Sequence, residues 1–157
     1  MRLKLLFVCT GNTCRSPMAE ILARETFESW IEVGSAGLYA WEGQEASLQA
    51  TAALKEKGLD LTGHRARPVS LELLDSADYI IPMTQAHEQA LEKQYPSLGH
   101  KVKRLSVWAG ADEDIADPFG SSPTTYRECA EKIAGMLQKL QLALKETRLR
   151  EAEKDKP

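Results

Sequence analysis

The chain has 157 residues and a mass of 17.4 kDa, a length that fits one domain with a sizeable core. Its formal net charge of −3 and pI of about 5.7 do not provide the basic surface that nucleic-acid binding needs. No stretch has the apolar length that a membrane span requires. We therefore predict one soluble domain over residues 1–157, with neither nucleic acid nor a membrane as partner.

The cysteine content and the N-terminus indicate the compartment. Three cysteines in a chain of this size do not make a disulfide framework, which favours a reducing cytoplasm. The apolar run at residues 5–8 is too short for a signal peptide. We expect a cytoplasmic monomer.

The first predicted elements are a strand and a helix that enclose a short loop. The apolar residues 5–8 predict a strand buried on both faces, and Ser16 followed by Pro17 predicts an N-cap and the first position of a helix. Such a strand-loop-helix turn directs backbone N–H groups and the positive end of a helix dipole at a bound oxyanion. Gly11 and Asn12 tolerate the left-handed dihedrals that the turn requires.

Two reactive side chains border this loop, which we call the phosphate loop (residues 9–16). Cys9 and Arg15 have the spacing C-x5-R, which suits a thiolate that attacks phosphorus and a guanidinium that holds phosphate oxygens. We expect Ser16 to donate a hydrogen bond to Cys9. The backbone and Arg15 already supply positive charge, so neither a metal nor another cofactor is implied. The predicted phosphate-binding residues are Thr10, Gly11, Asn12, Thr13, Cys14, Arg15 and Ser16.

A second strand is predicted over residues 31–35, and a loop with unusual aromatic residues follows it. Tyr39 and Trp41 lie in this loop, where aromatic side chains beside a phosphate pocket would form a wall for the rest of a substrate. The alternative is that both side chains pack onto the body of the protein.

The remaining elements alternate between helix and strand. Alternation of this kind predicts a parallel sheet covered on both faces, a three-layer α/β/α fold with four strands, and ligands bind beyond the carboxyl ends of such strands. Cys9 lies at one of these ends. The predicted helices are residues 47–58, 70–74, 84–95 and a long final helix from Pro123, and the third and fourth strands are residues 79–83 and 102–107.

An acidic, turn-rich segment, which we call the acid loop (residues 110–122), precedes the final helix. Most of its carboxylates are expected to be solvated surface, but the backbone of Asp117 is restricted by Pro118. After the acid loop, Cys129 is interpreted as structural, and the charged residues 145–157 are expected to fray.

Four motifs in this order resemble one family, the low-molecular-weight protein tyrosine phosphatases. They are V-C-x-G-N-x-C-R-S-P at residues 8–17, S-A-G at residues 35–37, H-R-A-R at residues 64–67 and D-P-F-G at residues 117–120. The resemblance covers nearly the whole chain. It implies a four-stranded parallel sheet and a cysteine-dependent phosphatase of phosphorylated proteins that forms a cysteinyl-phosphate intermediate.

The resemblance also implies roles for particular residues. Asp117 would protonate the departing atom and then activate the water that hydrolyses the intermediate. Asn12, Ser35 and His64 would form a hydrogen-bond network that braces the phosphate loop.

The expected substrate depends on the residue at position 13. The family includes enzymes that act on phosphotyrosine and a bacterial branch that acts on phosphoarginine, in which Thr occupies the position of Thr13. A hydroxyl there leaves room and a polar contact for a guanidinium, whereas an aliphatic side chain suits a phenyl ring. We favour phosphoarginine, with phosphotyrosine as the alternative, and expect Thr13, Tyr39, Trp41 and Phe119 to determine specificity.

Three further functions were considered. Related arsenate reductases need additional cysteines, which residues 84–95 do not contain. A phosphate-binding module without turnover would lack the nucleophile or the acid, but both are present. Redox regulation is compatible with catalysis, since Cys14 could form a disulfide with an oxidised Cys9.

Overall fold

A computed structural model describes residues 2–157, and a parallel sheet lies at its centre. The strands are β1 (Leu3–Cys9), β2 (Ile31–Gly37) and β3 (Tyr79–Pro82), in the order β2-β1-β3. β1 is central because its apolar residues are covered on both faces: Leu5 and Phe7 point into one core, and Leu6 and Val8 into the other.

Helices cover both faces of the sheet and give three layers. They are α1 (Arg15–Thr26), α2 (Leu48–Lys55), α3 (Leu71–Ser76), α4 (Gln85–Gln94), a 3-10 helix (Pro96–Lys101), α5 (Leu105–Trp108) and α6 (Pro123–Lys154). The larger core lies under α1, α2, α5 and α6, and the smaller one under α3, α4 and the 3-10 helix. The predicted α/β class and its helix-strand alternation are confirmed.

Three of the predicted helices have a side-chain cap at the first residue of the predicted range. Ser47, Ser70 and Thr84 each accept a hydrogen bond from a backbone N–H in the first turn of the following helix. The final helix begins at Pro123, as predicted, and continues to Lys154, into the charged segment for which we expected fraying.

The sheet has three strands, so the fourth strand predicted over residues 102–107 is wrong. Val102 forms only an isolated parallel bridge with Ile80, and the chain then turns into α5. Leu105 and Trp108 have helical rather than alternating spacing, which places Leu105 in the core from a helix.

Within residues 2–157, no helix combines the length and the apolar character that crossing a membrane demands.

Candidate active site

The phosphate loop lies where the central strand β1 ends and α1 begins. β1 ends at Cys9 and α1 begins at Arg15. The N–H groups of Arg15 and Ser16 stand in the first helical turn, where they have no partner within the helix, and the positive end of the helix dipole faces the loop. The loop therefore presents donors and partial positive charge to an oxyanion.

Two backbone features let the chain close tightly around this loop. Asn12 adopts a φ of 55°, in the left-handed region that Asn tolerates. A Cβ on Gly37 would lie 2.6 Å from the carbonyl oxygen of Thr10 and 2.8 Å from the nitrogen of Asn12. Only glycine fits at the end of the S-A-G motif, because β2 passes directly against the loop backbone.

Cys9 is buried and contacts Ser16 inside the loop. The Cys9 Sγ and Ser16 Oγ atoms are 2.9 Å apart. The Ser16 oxygen accepts a hydrogen bond from Asn12 Nδ2 at 2.8 Å, which leaves the hydroxyl proton to point to the sulfur or to the Ala36 carbonyl at 3.5 Å. Ser16 is therefore not the predicted helix cap: Cys14 holds that position without a side-chain bond, because the Ser16 hydroxyl is used inside the loop.

Asn12 is the centre of a buried hydrogen-bond network. Its Nδ2 also donates to Ser35 Oγ at 2.9 Å, and its Oδ1 accepts from the Arg67 backbone N–H at 3.1 Å. The His64 Nε2 donates to the Asn12 carbonyl at 2.7 Å, and Ser35 donates to Glu20 at 2.7 Å. The structure thus brings Asn12, Ser35 and His64 together, and adds Glu20, which no sequence pattern indicated.

Arg15 lies at the far end of the loop and is 5% exposed. Its Nη1 donates to the backbone carbonyl of Ile115 at 3.1 Å, and its Nη2 lies 3.4 Å from Thr10 Oγ1. The guanidinium is therefore anchored on one side to the acid loop and on the other to the phosphate loop. These two contacts fix the plane of the guanidinium, whose N–H groups can bind two phosphate oxygens.

Asp117 stands at the open side of the site. Its Oδ2 is 3.7 Å from Arg15 Nη2, and its side chain is 52% exposed. Its other oxygen accepts a hydrogen bond from the backbone N–H of Phe119 at 3.1 Å, which closes a turn over Pro118. Asp117 is thus held beside the guanidinium but open to solvent, where a proton can be exchanged.

Aromatic side chains stand exposed on segments next to the loop. Tyr39 is 68%, Trp41 80% and Phe119 82% exposed. The backbone N–H of Tyr39 donates to the carbonyl of Thr10 at 2.9 Å, so this segment borders the phosphate loop. Exposure argues against the alternative that Tyr39 and Trp41 simply pack onto the body.

His87 is a neighbour of the site that sequence reasoning missed. It lies in the first turn of α4, is buried, and its Nε2 is 2.8 Å from Thr10 Oγ1. Burial and the nearby charge of Arg15 lower the pKa of His87 to about 4. A neutral imidazole therefore holds the Thr10 hydroxyl that also contacts Arg15. The only sequence signal was a histidine at the start of a helix that follows a buried strand.

The other two cysteines differ from Cys9 in their surroundings. Cys14 and Cys129 are free, buried thiols. Burial, with smaller contributions from Cys129, Cys9 and Asp117, raises the pKa of Cys14 well above its ordinary value. Burial also raises the pKa of Cys129 to about 11. Both remain protonated at neutral pH, which suits packing more than nucleophilic attack.

Across residues 2–157, no three side chains of His, Cys, Asp or Glu are grouped so that they could hold a metal ion. A sulfur, a guanidinium, helix N–H groups and an accessible carboxyl group around one concavity suit covalent displacement at a phosphoryl group.

Comparisons with known proteins place this architecture in one family. The model of the low molecular weight phosphotyrosine protein phosphatases matches residues 4–151, so the chain belongs to this family.

Relatives within the family carry two kinds of name. A protein-arginine-phosphatase of Geobacillus stearothermophilus is 40% identical over 141 residues, covering 89% of this chain and 95% of the relative. The low molecular weight protein-tyrosine-phosphatase PtpB of Staphylococcus haemolyticus is 38% identical over 138 residues, covering 88% and 97%. The solved structure of the YwlE arginine phosphatase from Geobacillus stearothermophilus superposes with a TM-score of 0.90 at 38% identity, covering 94% of this chain and 96% of that one.

Proposed function

We propose that this chain is a protein-arginine phosphatase that hydrolyses phosphoarginine in proteins through a cysteinyl-phosphate intermediate on Cys9. The observation that carries the proposal is Thr13 in an otherwise complete phosphate loop. The similarity to a protein-arginine-phosphatase over 89% of the chain supports it.

In this proposal the phosphate loop binds the phosphoryl group and Cys9 attacks it. The Ser16 hydroxyl is 2.9 Å from the sulfur and donates to it. The helix N–H groups and Arg15 hold the three peripheral oxygens and stabilise the charge that they carry as the phosphorus is transferred. A new S–P bond forms while the P–N bond to the substrate arginine breaks.

Asp117 then supplies and recovers one proton. In its acid form it protonates the departing guanidine nitrogen, so that a neutral or cationic leaving group departs instead of an anion. The resulting carboxylate accepts a proton from a water molecule that attacks phosphorus and breaks the S–P bond. Inorganic phosphate leaves, and Cys9 and Asp117 return to their starting states.

Thr13 provides the preference for a guanidinium. Its carbonyl accepts from the backbone N–H of Ser47 at 2.8 Å, which fixes the residue in the loop. Its hydroxyl lies 3.6 Å from the position that a Cβ on Gly11 would occupy, on a half-buried side chain. A hydroxyl at this place can accept from an N–H of phosphoarginine, and an aliphatic side chain cannot.

Phosphotyrosine is the second candidate, and the exposed aromatic residues favour it. Tyr39, Trp41 and Phe119 could stack on a phenyl ring, although the same faces can also receive a guanidinium plane. Relatives named as tyrosine phosphatases share the family with this chain.

The experiment that decides between the two substrates compares turnover of peptides that differ only in carrying phosphoarginine or phosphotyrosine. We expect the wild-type chain to have the higher kcat/KM for phosphoarginine, and Thr13→Ile to shift the ratio towards phosphotyrosine by about tenfold or more. Thr13→Ser, which keeps the hydroxyl, is the matched control and should retain the preference. Cys9→Ser provides the blank.

Either of two results would overturn the assignment. A wild-type preference for phosphotyrosine would make the chain a tyrosine phosphatase in which Thr13 does not decide specificity. Turnover of neither peptide, with phosphate still bound, would indicate a binding module.

The remaining expectations complete the proposal. We propose a monomeric, cytoplasmic enzyme with one domain, in which Cys14 forms a disulfide with Cys9 after oxidation. The two cores share the central strand β1, which supports the single domain. Because burial raises the pKa of Cys14, disulfide formation should be slow at neutral pH and should accelerate in alkaline solution.

A further inference from the structure

Arg104 is a buried cation outside the site described above. It follows the isolated bridge at Val102, directly before α5, and is 7% exposed. A guanidinium is costly to bury unless carboxylates compensate its charge. Carboxylates are therefore expected around Arg104.

Carboxylates from two segments surround this guanidinium. Asp112, in the acid loop, lies 2.7 Å from Nη2, and Asp114, in the same loop, lies 3.6 Å from Nη1. Glu88, on α4, lies 3.5 Å from Nε. Asp112 and Asp114 are solvated, as the sequence predicted for the acid loop, with side chains 85% and 50% exposed, but both are also paired with one buried cation.

The paired carboxylates lie close to Asp117 along the chain. Asp114 also accepts a hydrogen bond from the backbone N–H of Gln85 at 2.8 Å. The next residue, Ile115, donates its N–H to the Met83 carbonyl at 3.1 Å, and its own carbonyl accepts from Arg15. The segment that ends in Asp117 is therefore fixed at Asp112, Asp114 and Ile115, although residues 111–118 form no helix or strand.

We propose that Arg104 is a positioning residue that holds the acid loop by its charge, and thereby keeps Asp117 beside Arg15 and the leaving group. The inference rests on the proposed role of Asp117 as the proton donor. Without Arg104 the acid loop loses the cation that attracts Asp112 and Asp114. Asp117 is then beside Arg15 in a smaller fraction of the molecules.

The test uses the dependence of the rate on the leaving group. A proton donor matters much when the leaving group is a poor one, as in phenyl phosphate, and little when it is a good one, as in p-nitrophenyl phosphate. We expect Arg104→Met, which keeps the apolar stem, to lower kcat/KM, which covers the steps up to departure of the leaving group, about tenfold for phenyl phosphate and less than about twofold for p-nitrophenyl phosphate.

Three matched variants separate positioning from general destabilisation. Arg127→Met removes another paired arginine, whose partner Glu56 lies at the end of α2, and should change neither rate. The double change Asp112→Asn and Asp114→Asn removes the loop charges while Asn keeps hydrogen-bond acceptors, and should reproduce the leaving-group-dependent loss. This pair also tests the proposal if Arg104→Met does not fold. In an Asp117→Asn background, Arg104→Met should cause no further loss.

Two results would overturn the inference alone: an equal loss for both substrates, or a further loss in the Asp117→Asn background. If Asp117→Asn itself shows no leaving-group-dependent loss, the proposed acid is wrong and the inference falls with it. Circular dichroism of each variant verifies that the compared proteins are folded.

Discussion

The phosphate loop and the acid loop meet at Arg15, but different forces hold them in place. In the phosphate loop, Cys9, Asn12 and Ser16 are no more than 2% exposed and are joined by short hydrogen bonds. In the acid loop, Asp117 is half exposed, and Arg104 holds the preceding aspartates by charge.

This difference predicts different costs of mutation. The phosphate loop is part of the core, so it is organised before a substrate arrives, and changes in it should reduce stability together with activity. The acid loop lies on the surface, so changes to its exposed side chains should reduce activity and leave the fold intact. Substitutions at four positions, Arg15, Asn12, Asp117 and His87, test this comparison.

The largest effect is expected at Arg15, where the two loops meet. Arg15→Lys keeps the charge but loses the planar fork and the bond from Nη1 to the Ile115 carbonyl. We expect kcat/KM to fall by about 10³, as when a preorganised donor to a transition-state oxyanion is removed. Steady-state kinetics with a phosphoarginine peptide measures this loss, and a loss below about tenfold would contradict the assigned role. Arg127→Lys, at an exposed ion pair, is the control.

The next effect concerns the core of the phosphate loop. Asn12→Ala leaves Ser16, Ser35 and the Arg67 N–H without the Asn12 amide, and Ala tolerates a φ of 55° less well than Asn. We expect a loss of about 3 kcal/mol in the free energy of unfolding. Asn12→Gly removes the same bonds without the backbone strain and should be less destabilised. Denaturant titration measures both, and equal stabilities would show that strain contributes nothing.

The acid loop should behave in the opposite way. Asp117→Asn keeps the acceptor for the Phe119 N–H but cannot transfer a proton, so we expect kcat for a phosphoarginine peptide to fall about 10². Its stability should stay within about 0.5 kcal/mol of wild type, because the side chain is half exposed. A large loss of stability would contradict the division between the two loops.

The smallest effect is expected at His87, which links α4 to Thr10 in the phosphate loop. The pKa of His87 is lowered to about 4 in the folded protein, from 6.5. Between these values the unfolded chain binds a proton that the folded chain does not, so stability decreases as pH falls through the window, by at most about 3 kcal/mol.

The pH dependence can be assigned to His87 by comparison of variants. Unfolding free energies near pH 7 and near pH 4.5 should differ more for wild type than for His87→Gln, which keeps a polar partner for Thr10. His100→Gln, at an exposed histidine, should match wild type. If His87→Gln has the wild-type difference, the imidazole does not carry this effect.

The sequence predicted the parts of the site that depend on local pattern. The strand before Cys9, the left-handed tolerance of Asn12 and the C-x5-R spacing are properties of neighbouring residues, and they located the phosphate loop. Asp117 was found only through the family resemblance, because Asp-Pro in an acidic loop does not by itself distinguish one acid from the others.

What the sequence did not predict depends on contacts between distant segments. Ser16 fits the pattern of a helix cap, but its hydroxyl is used by Asn12 and Cys9. Val102 is a residue type common in strands, but a helix begins at Leu105, and the Leu105 side chain lies in the core. His87 contacts Thr10, and Glu88 contacts Arg104, because α4 lies against both loops, which no local pattern encodes.

Transient phosphorylation of Cys9 would test the central claim most directly. Wild-type protein is mixed rapidly with a phosphoarginine peptide, quenched within one turnover and analysed by mass spectrometry for the position of the phosphoryl group. We predict that the phosphoryl group appears on Cys9 at least as fast as phosphate is released. Cys9→Ser should release phosphate more slowly than wild type. Release of phosphate from the peptide with no phosphoryl group on Cys9, or at an undiminished rate by Cys9→Ser, would contradict the account.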